Sequence, residues 1–218
     1  MEKEIIKKDK SLTNKLLLAG VVVGPLYLTV GLIEAFTRKG FDITRHPLSI
    51  LSNGDLGWIH MTDLILSGIL VLITSVGIRR ALTGRGKTWA PILIGIYGLG
   101  LVLSGFFKAD PALGFPPGTP ANAMTISTSG MLHFMMGGIG FFGLIAACFV
   151  FARRFTKLKQ KGWAKYSLFT GIIFFAAFVG IASGSGNGWT ILGFWIGIIL
   201  AWTWLSLLSL KFLKENIL

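Results

Sequence analysis

The chain has 218 residues, 53% of them hydrophobic and only 14% charged, and its mean hydropathy is +0.71. A soluble domain carries about 25% charged residues; here the few charges bunch between long apolar runs, which excludes a soluble globular domain and marks one polytopic membrane domain. The net charge of +12 comes without any nucleic-acid-reading module, so it is read as a topology signal and a contact for anionic lipids, with no nucleic-acid partner.

Residues 1–15 form a polar, lysine-rich N-terminus. The apolar run after it, Leu16 to Phe36, is about 20 residues long and lacks a small-x-small cleavage site, so it is expected to stay as a first helix and uncleaved signal anchor. A long loop over about residues 37–57 follows, rich in Gly, Pro, Ser and Thr. Trp58 to Ile78 and Trp89 to Phe107 form the second and third runs. A second long loop over about 108–130 leads to Met131–Ala152, then Tyr166–Ser183, a Gly-rich turn at Gly184 to Gly188, and Trp189–Leu210. Each run is near the ~20 residues that cross ~30 Å of hydrocarbon as a helix. The expected architecture is all-α: six transmembrane helices as three hairpins over residues 16–212, with a short tail at 213–218.

All but four of the 21 lysines and arginines fall in the N-terminus, between helices two and three, between helices four and five, or after helix six. Arg38, Lys39, Arg45 and Lys108 lie on the other side. This bias predicts both termini in the cytoplasm and the two long loops outside, in a cell inner or plasma membrane. Cys148 is the single cysteine, which excludes an internal disulfide and a Cys-based zinc cage.

Helices two and four begin alike, Gly57-Trp58-Ile59-His60 and Gly130-Met131-Leu132-His133, and both end in Arg-Arg, which suggests hairpin repetition. All three histidines, His46, His60 and His133, fall at the outer side, with Glu34, Asp42, Asp55, Asp63 and Asp110. His60 and Asp63 share a helix face, with Ser67 one turn further in, and a carboxylate at that depth must be paired or wet. One reading is a metal site of His60, Asp63 and His133, such as a zinc with an open position. A second is a hydrogen-bonded network that pins the outer loops to the helices. A third uses the two helix-borne histidines as axial haem ligands. Ser49 with His46 is the minimal nucleophile–base pair, although Pro47 between them also fits a helix start where Ser49 or Ser52 satisfies backbone groups. Glu34, His46, Ser49 and Asp110 are thus the catalytic candidates. The glycines of Gly95-x-x-Gly98-x-Gly100 and Gly137-Gly138-x-Gly140 are expected to bring helices close. The tryptophans of the last helix (Trp189, Trp195, Trp202, Trp204) are expected to face lipid or a partner.

Three stretches, His46-Pro47-Leu48-Ser49-Ile50-Leu51-Ser52, Phe107-Lys108-Ala109-Asp110-Pro111 with Gly114-Phe115-Pro116-Pro117-Gly118-Thr119, and Gly130-x-x-His133, resemble a family of bacterial and archaeal membrane proteins catalogued as domain-of-unknown-function family nine-nine-eight. The resemblance implies six helices and important outer loops, and no activity. Lys108 stands where a smaller residue or proline is expected. The residues leave three functions open: a polar pocket roofed by the loops that binds a small molecule or lipid headgroup, with metal-assisted hydrolysis; a non-catalytic accessory subunit; and a transporter.

Overall fold

The structure is a computed structural model and describes residues 2–84, 86–123, 126–184 and 187–217. Arg85 of the basic loop and Ser185 and Gly186 of the third turn lie outside the described residues, as do the side chains of Glu2, Lys3, Glu4, Lys7, Lys8 and Asp9.

Six long helices account for the chain: α1 (Glu2–Thr37), α2 (Gly57–Ala81), α3 (Trp89–Phe106), α4 (Thr128–Lys157), α5 (Lys161–Ala182) and α6 (Gly188–Ile217). All six are long and apolar enough to cross a membrane, and no strand occurs among the described residues. The protein is a multi-pass membrane protein. All the helices but α3 are longer than their apolar stretches because backbone bonding continues into polar sequence: α4 starts at Thr128, with the Ser127 hydroxyl accepting from the Gly130 N–H.

Each helix packs on the next in sequence, and α6 returns to α1, so the six close into a ring. In hydrocarbon the association rests on close packing, which small residues permit. Where α3 crosses α4, a Cβ on Gly100 would stand 2.7 Å from the Cα of Gly140. The interior is filled by large side chains, among them Trp202, Trp204, Tyr97, Phe151 and Phe174, all under 2% exposed.

This corrects the expectation for α6. Trp195, Trp202 and Trp204 point inward, not to lipid: the Trp195 indole N–H donates to the His46 carbonyl (3.1 Å), the Trp204 N–H to the Ser167 hydroxyl (3.0 Å), and Trp202 stacks on Tyr27. Only Trp189, at the helix start, is exposed. A buried indole is costly unless its N–H finds a partner; the first lid loop and α5 supply one each for Trp195 and Trp204, while the Trp202 N–H has none among the described residues.

The long loops lie together as a lid over one end of the ring. The first contains a short 3-10 helix, Leu48–Ser52, that starts after Pro47. In the second, Ala112 and Phe115 exchange both backbone hydrogen bonds around a turn with Leu113 at φ 57 and Gly114 at φ 91.

Candidate functional site

The lid end of the ring is organised around Glu34, near the end of α1. Arg38, one turn on, donates from Nη1 to Glu34 Oε1 (3.0 Å) and to the Leu51 carbonyl (3.1 Å), and from Nη2 to the Asn53 carbonyl (2.5 Å). The His60 Nδ1–H, from the first turns of α2, donates to the other carboxylate oxygen, Oε2 (3.2 Å). Both ionised side chains are nearly enclosed, at 8% and 5% exposure, so their pairing decides whether either is tolerable there. Glu34 and His60, both candidate residues of the sequence, thus meet here. The sequence misses Arg38, which reads as a loop charge; the Glu34-to-Arg38 spacing of one helical turn is the signal that identifies it.

His46 sits at the centre of the lid. Its Nδ1 accepts from the Asp42 N–H (2.9 Å), and its Nε2–H donates to the Leu113 carbonyl (3.0 Å). Its ring packs against Phe41 and Phe115, which also touch each other. Phe115, only 1% exposed, also packs under the Arg38 guanidinium, 5.4 Å from ring centre to Cζ. With both ring nitrogens committed to backbone groups, His46 is not free to act as base for Ser49, and the expected pair is corrected to a clamp between the two loops and α6. Ser52 likewise serves structure: its hydroxyl donates to the Ser49 carbonyl and accepts from the Ala109 N–H.

Asp110 is also a structural residue. Its two oxygens accept from the Ser127 hydroxyl (2.5 Å) and N–H (2.9 Å), ahead of the first turn of α4. The carboxylate lies so close to the helix that a Cβ on Gly130 would meet its Oδ2 at 2.0 Å. Gly57 is constrained alike, since a Cβ there would stand 2.2 Å from the Ser52 carbonyl oxygen. The shared Gly-x-x-His openings of α2 and α4 therefore have one physical meaning. The glycine admits a lid loop against the helix start, and the histidine one turn later is buried, at 0% for His60 and 8% for His133.

His133 completes the far side. Its Nδ1 lies 2.8 Å from both the Ser104 and Phe107 carbonyls, at the end of α3. These belong to the terminal carbonyls that a helix leaves without internal partners. The Ser104 hydroxyl returns a bond to the His133 carbonyl (3.1 Å). Asp63 is 4% exposed; its Oδ1 accepts from Ser67, as the shared face suggests, and its Oδ2 has no partner among the described residues.

Between these groups lies a cavity of about 300 Å³, walled by all six helices and by both lid loops. Its walls are mainly apolar, including Leu64, Leu101, Phe141, Phe178 and Phe194. The polar side chains on it are Tyr27, Ser49, His60, Ser104 and His133. Of the seven residues expected to form a polar pocket, Ser49, His60 and His133 reach the cavity wall. Glu34 stands behind His60; His46, Asp63 and Asp110 are engaged elsewhere. No three His, Cys, Asp or Glu side chains are grouped to hold a metal ion among the described residues, so His60, Asp63 and His133 are not assembled as a ligand set. Tyr27, Ser104 and Phe115 were not singled out from sequence; Tyr27 lies seven residues before Glu34, two turns down the same face of α1.

Neither a curated protein nor a solved structure matches the chain. Residues 21–211 match the family described as Protein of unknown function (DUF998), from the first helix into the sixth. With nearly the whole helical ring and both lid loops inside that match, the chain belongs to the DUF998 family.

Proposed function

We propose that the protein binds a small amphipathic molecule in the cavity beneath the lid. The observation that carries this reading is the pairing of a mainly apolar chamber with two buried imidazoles on its wall. Its size is at the lower end of the ~300–1,000 Å³ of ligand sites, and a few placed polar groups among apolar walls is how such sites fix orientation. The Glu34–Arg38 pair holds His60 from behind, and the end of α3 holds His133, so both rings are set before a ligand arrives.

In this reading the lid faces the outside of the plasma membrane, and both ends of the chain, with their lysines, face the cytoplasm and its anionic lipids. Metal-assisted hydrolysis is not part of it, because no three His, Cys, Asp or Glu side chains are grouped to hold a metal ion among the described residues. A partner held by the aromatic face of α6 is not part of it either, since that face is inside the ring.

The test is extraction and mass spectrometry of small molecules retained by protein purified from its own membranes. An amphipath near one per chain in the wild type, lost in Gly137→Leu, is the expected result. Gly137 lines the cavity, and a Cβ there meets only the Ser104 hydroxyl, at 3.3 Å, so a longer side chain grows into the chamber. Equal retention by both proteins overturns the assignment to this cavity.

A further inference from the structure

We propose that the ligand is an uncharged hydrogen-bond donor on an apolar chain, a medium-chain alcohol in chemical class; this rests on the binding reading above. The cavity's polar groups fix the sign of what can bind. A carboxylate oxygen of Glu34 faces His60 Nδ1, so that nitrogen carries the proton. Arg38 already matches the Glu34 charge, so the bond from His60 needs one proton only, on Nδ1. His60 Nε2 is therefore a lone pair, and it is buried with no partner among the described residues. His133 Nδ1 faces two carbonyls, which only accept, so it too carries the proton and leaves Nε2 as an acceptor. Both histidines line one chamber, and a buried acceptor without a donor, as His60 Nε2 is, is costly.

Anions are disfavoured by the same inventory. No lysine or arginine lines the cavity, and Arg38 is occupied by Glu34 and the carbonyls of Leu51 and Asn53. A carboxylate or phosphate would meet imidazole lone pairs with nothing to neutralise it. The Ser104 hydroxyl is committed to the His133 carbonyl, which leaves Tyr27 and Ser49 as the other hydroxyl side chains lining the cavity. A hydroxyl head gives its proton to an imidazole and accepts from one of these. A chamber of about 300 Å³, at the small end of ligand sites, suits a chain of medium length.

The experiment is native mass spectrometry of the purified full chain with decanol, decyl methyl ether or decanoate at equal concentration. The ether keeps the shape and oxygen without the donor; decanoate keeps the length with a charge. Decanol is expected to be retained about tenfold or more over both, and Gly137→Leu to remove that retention. Ile198→Phe, at another cavity wall, serves if Gly137→Leu does not fold. Retention of the ether or of decanoate equal to decanol overturns the donor-head proposal while leaving ligand binding in place. Retention of none of the three overturns the binding reading with it.

Discussion

Glu34 in the last turn of α1 and Arg38 just after its end form a 3.0 Å ion pair in which each partner also holds a different part of the site: Arg38 the carbonyls of the first lid loop, Glu34 the imidazole of His60. The pair couples the roof to the cavity wall through a single turn of helix.

Removing one member leaves the other as an unmatched buried charge. Arg38→Ala is expected to cost about 3–5 kcal/mol, because two lid carbonyls also lose their donor. Glu34→Gln combined with Arg38→Ala is expected to cost less than the sum of the single changes, since no charge remains. Arg45→Ala is the contrast. Arg45 is exposed and reaches the Leu113 carbonyl only at 3.5 Å, so its loss is expected to stay within about 0.5 kcal/mol. Thermal unfolding of the purified variants in one detergent measures all four; an Arg38→Ala protein as stable as Arg45→Ala refutes the coupling.

The two glycines that open α2 and α4 predict different outcomes for one substitution. Gly130→Ala presses on the Asp110 carboxylate, a side chain, so Asp110→Ala in the same protein is expected to recover part of the loss. Gly57→Ala presses on the Ser52 carbonyl, backbone that no side-chain change can clear. Overpacking of this kind costs about 1–3 kcal/mol. Folded yield and melting temperature report it; recovery of Gly57→Ala by Ser52→Ala would contradict the backbone clash.

These contacts explain what was legible beforehand. The six spans were, because hydropathy over twenty residues is a property of sequence alone. The common depth of Glu34 and His60 was too, since ionisable groups in lipid must shelter one another. The roles of His46 and Asp110 were not: residue type shows a lone pair or proton, and only the fold shows that Leu113 or Ser127 has already taken it. The placement of Trp202 and Trp204 was hidden for another reason. Lipid and a packed interior are both apolar, so composition does not separate an outward indole from an inward one.

The lid's first turn carries a pH dependence. Hydrogen bonds from the Thr44 side chain and N–H, with the nearby Arg45, hold the Asp42 carboxyl below its usual value of 3.8. A depressed carboxyl stabilises the fold above the unfolded value and loses that contribution as pH falls through the folded one. Asp42 is exposed, so the effect is local and small. Hydrogen exchange at Thr44 is expected to quicken, relative to intrinsic rates, as pH falls below about 4, and to lose that dependence in Asp42→Asn. An Asp42→Asn protein that retains the wild-type profile assigns the effect elsewhere.

Trp195 ties α6 to the lid through a single bond to the His46 carbonyl. Trp195→Phe keeps most of the apolar volume and removes the donor, with an expected cost of about 0.5–1.5 kcal/mol. Trp189→Phe, at 81% exposure, is expected to change stability by less than about 0.5 kcal/mol. The comparison, made by thermal unfolding, tests whether the Trp-rich helix acts through its inner face.

The orientation proposed for the ring is open to a clean chemical test, because the native Cys148 thiol is fully buried and gives little background. Ala121 lies exposed in the second lid loop, and Lys157 lies exposed at the opposite end of α4. With the lid outside, Ala121→Cys in intact cells is expected to react with a membrane-impermeant maleimide, and Lys157→Cys to react only after the membrane is opened. The lysines and arginines clustered at the Lys157 end are the physical basis for this expectation, since positive segments are retained in the cytoplasm during insertion. The opposite labelling pattern would turn the cavity's lid toward the cell interior and make its ligand a cytoplasmic one, with the geometry of His60 and His133 unchanged.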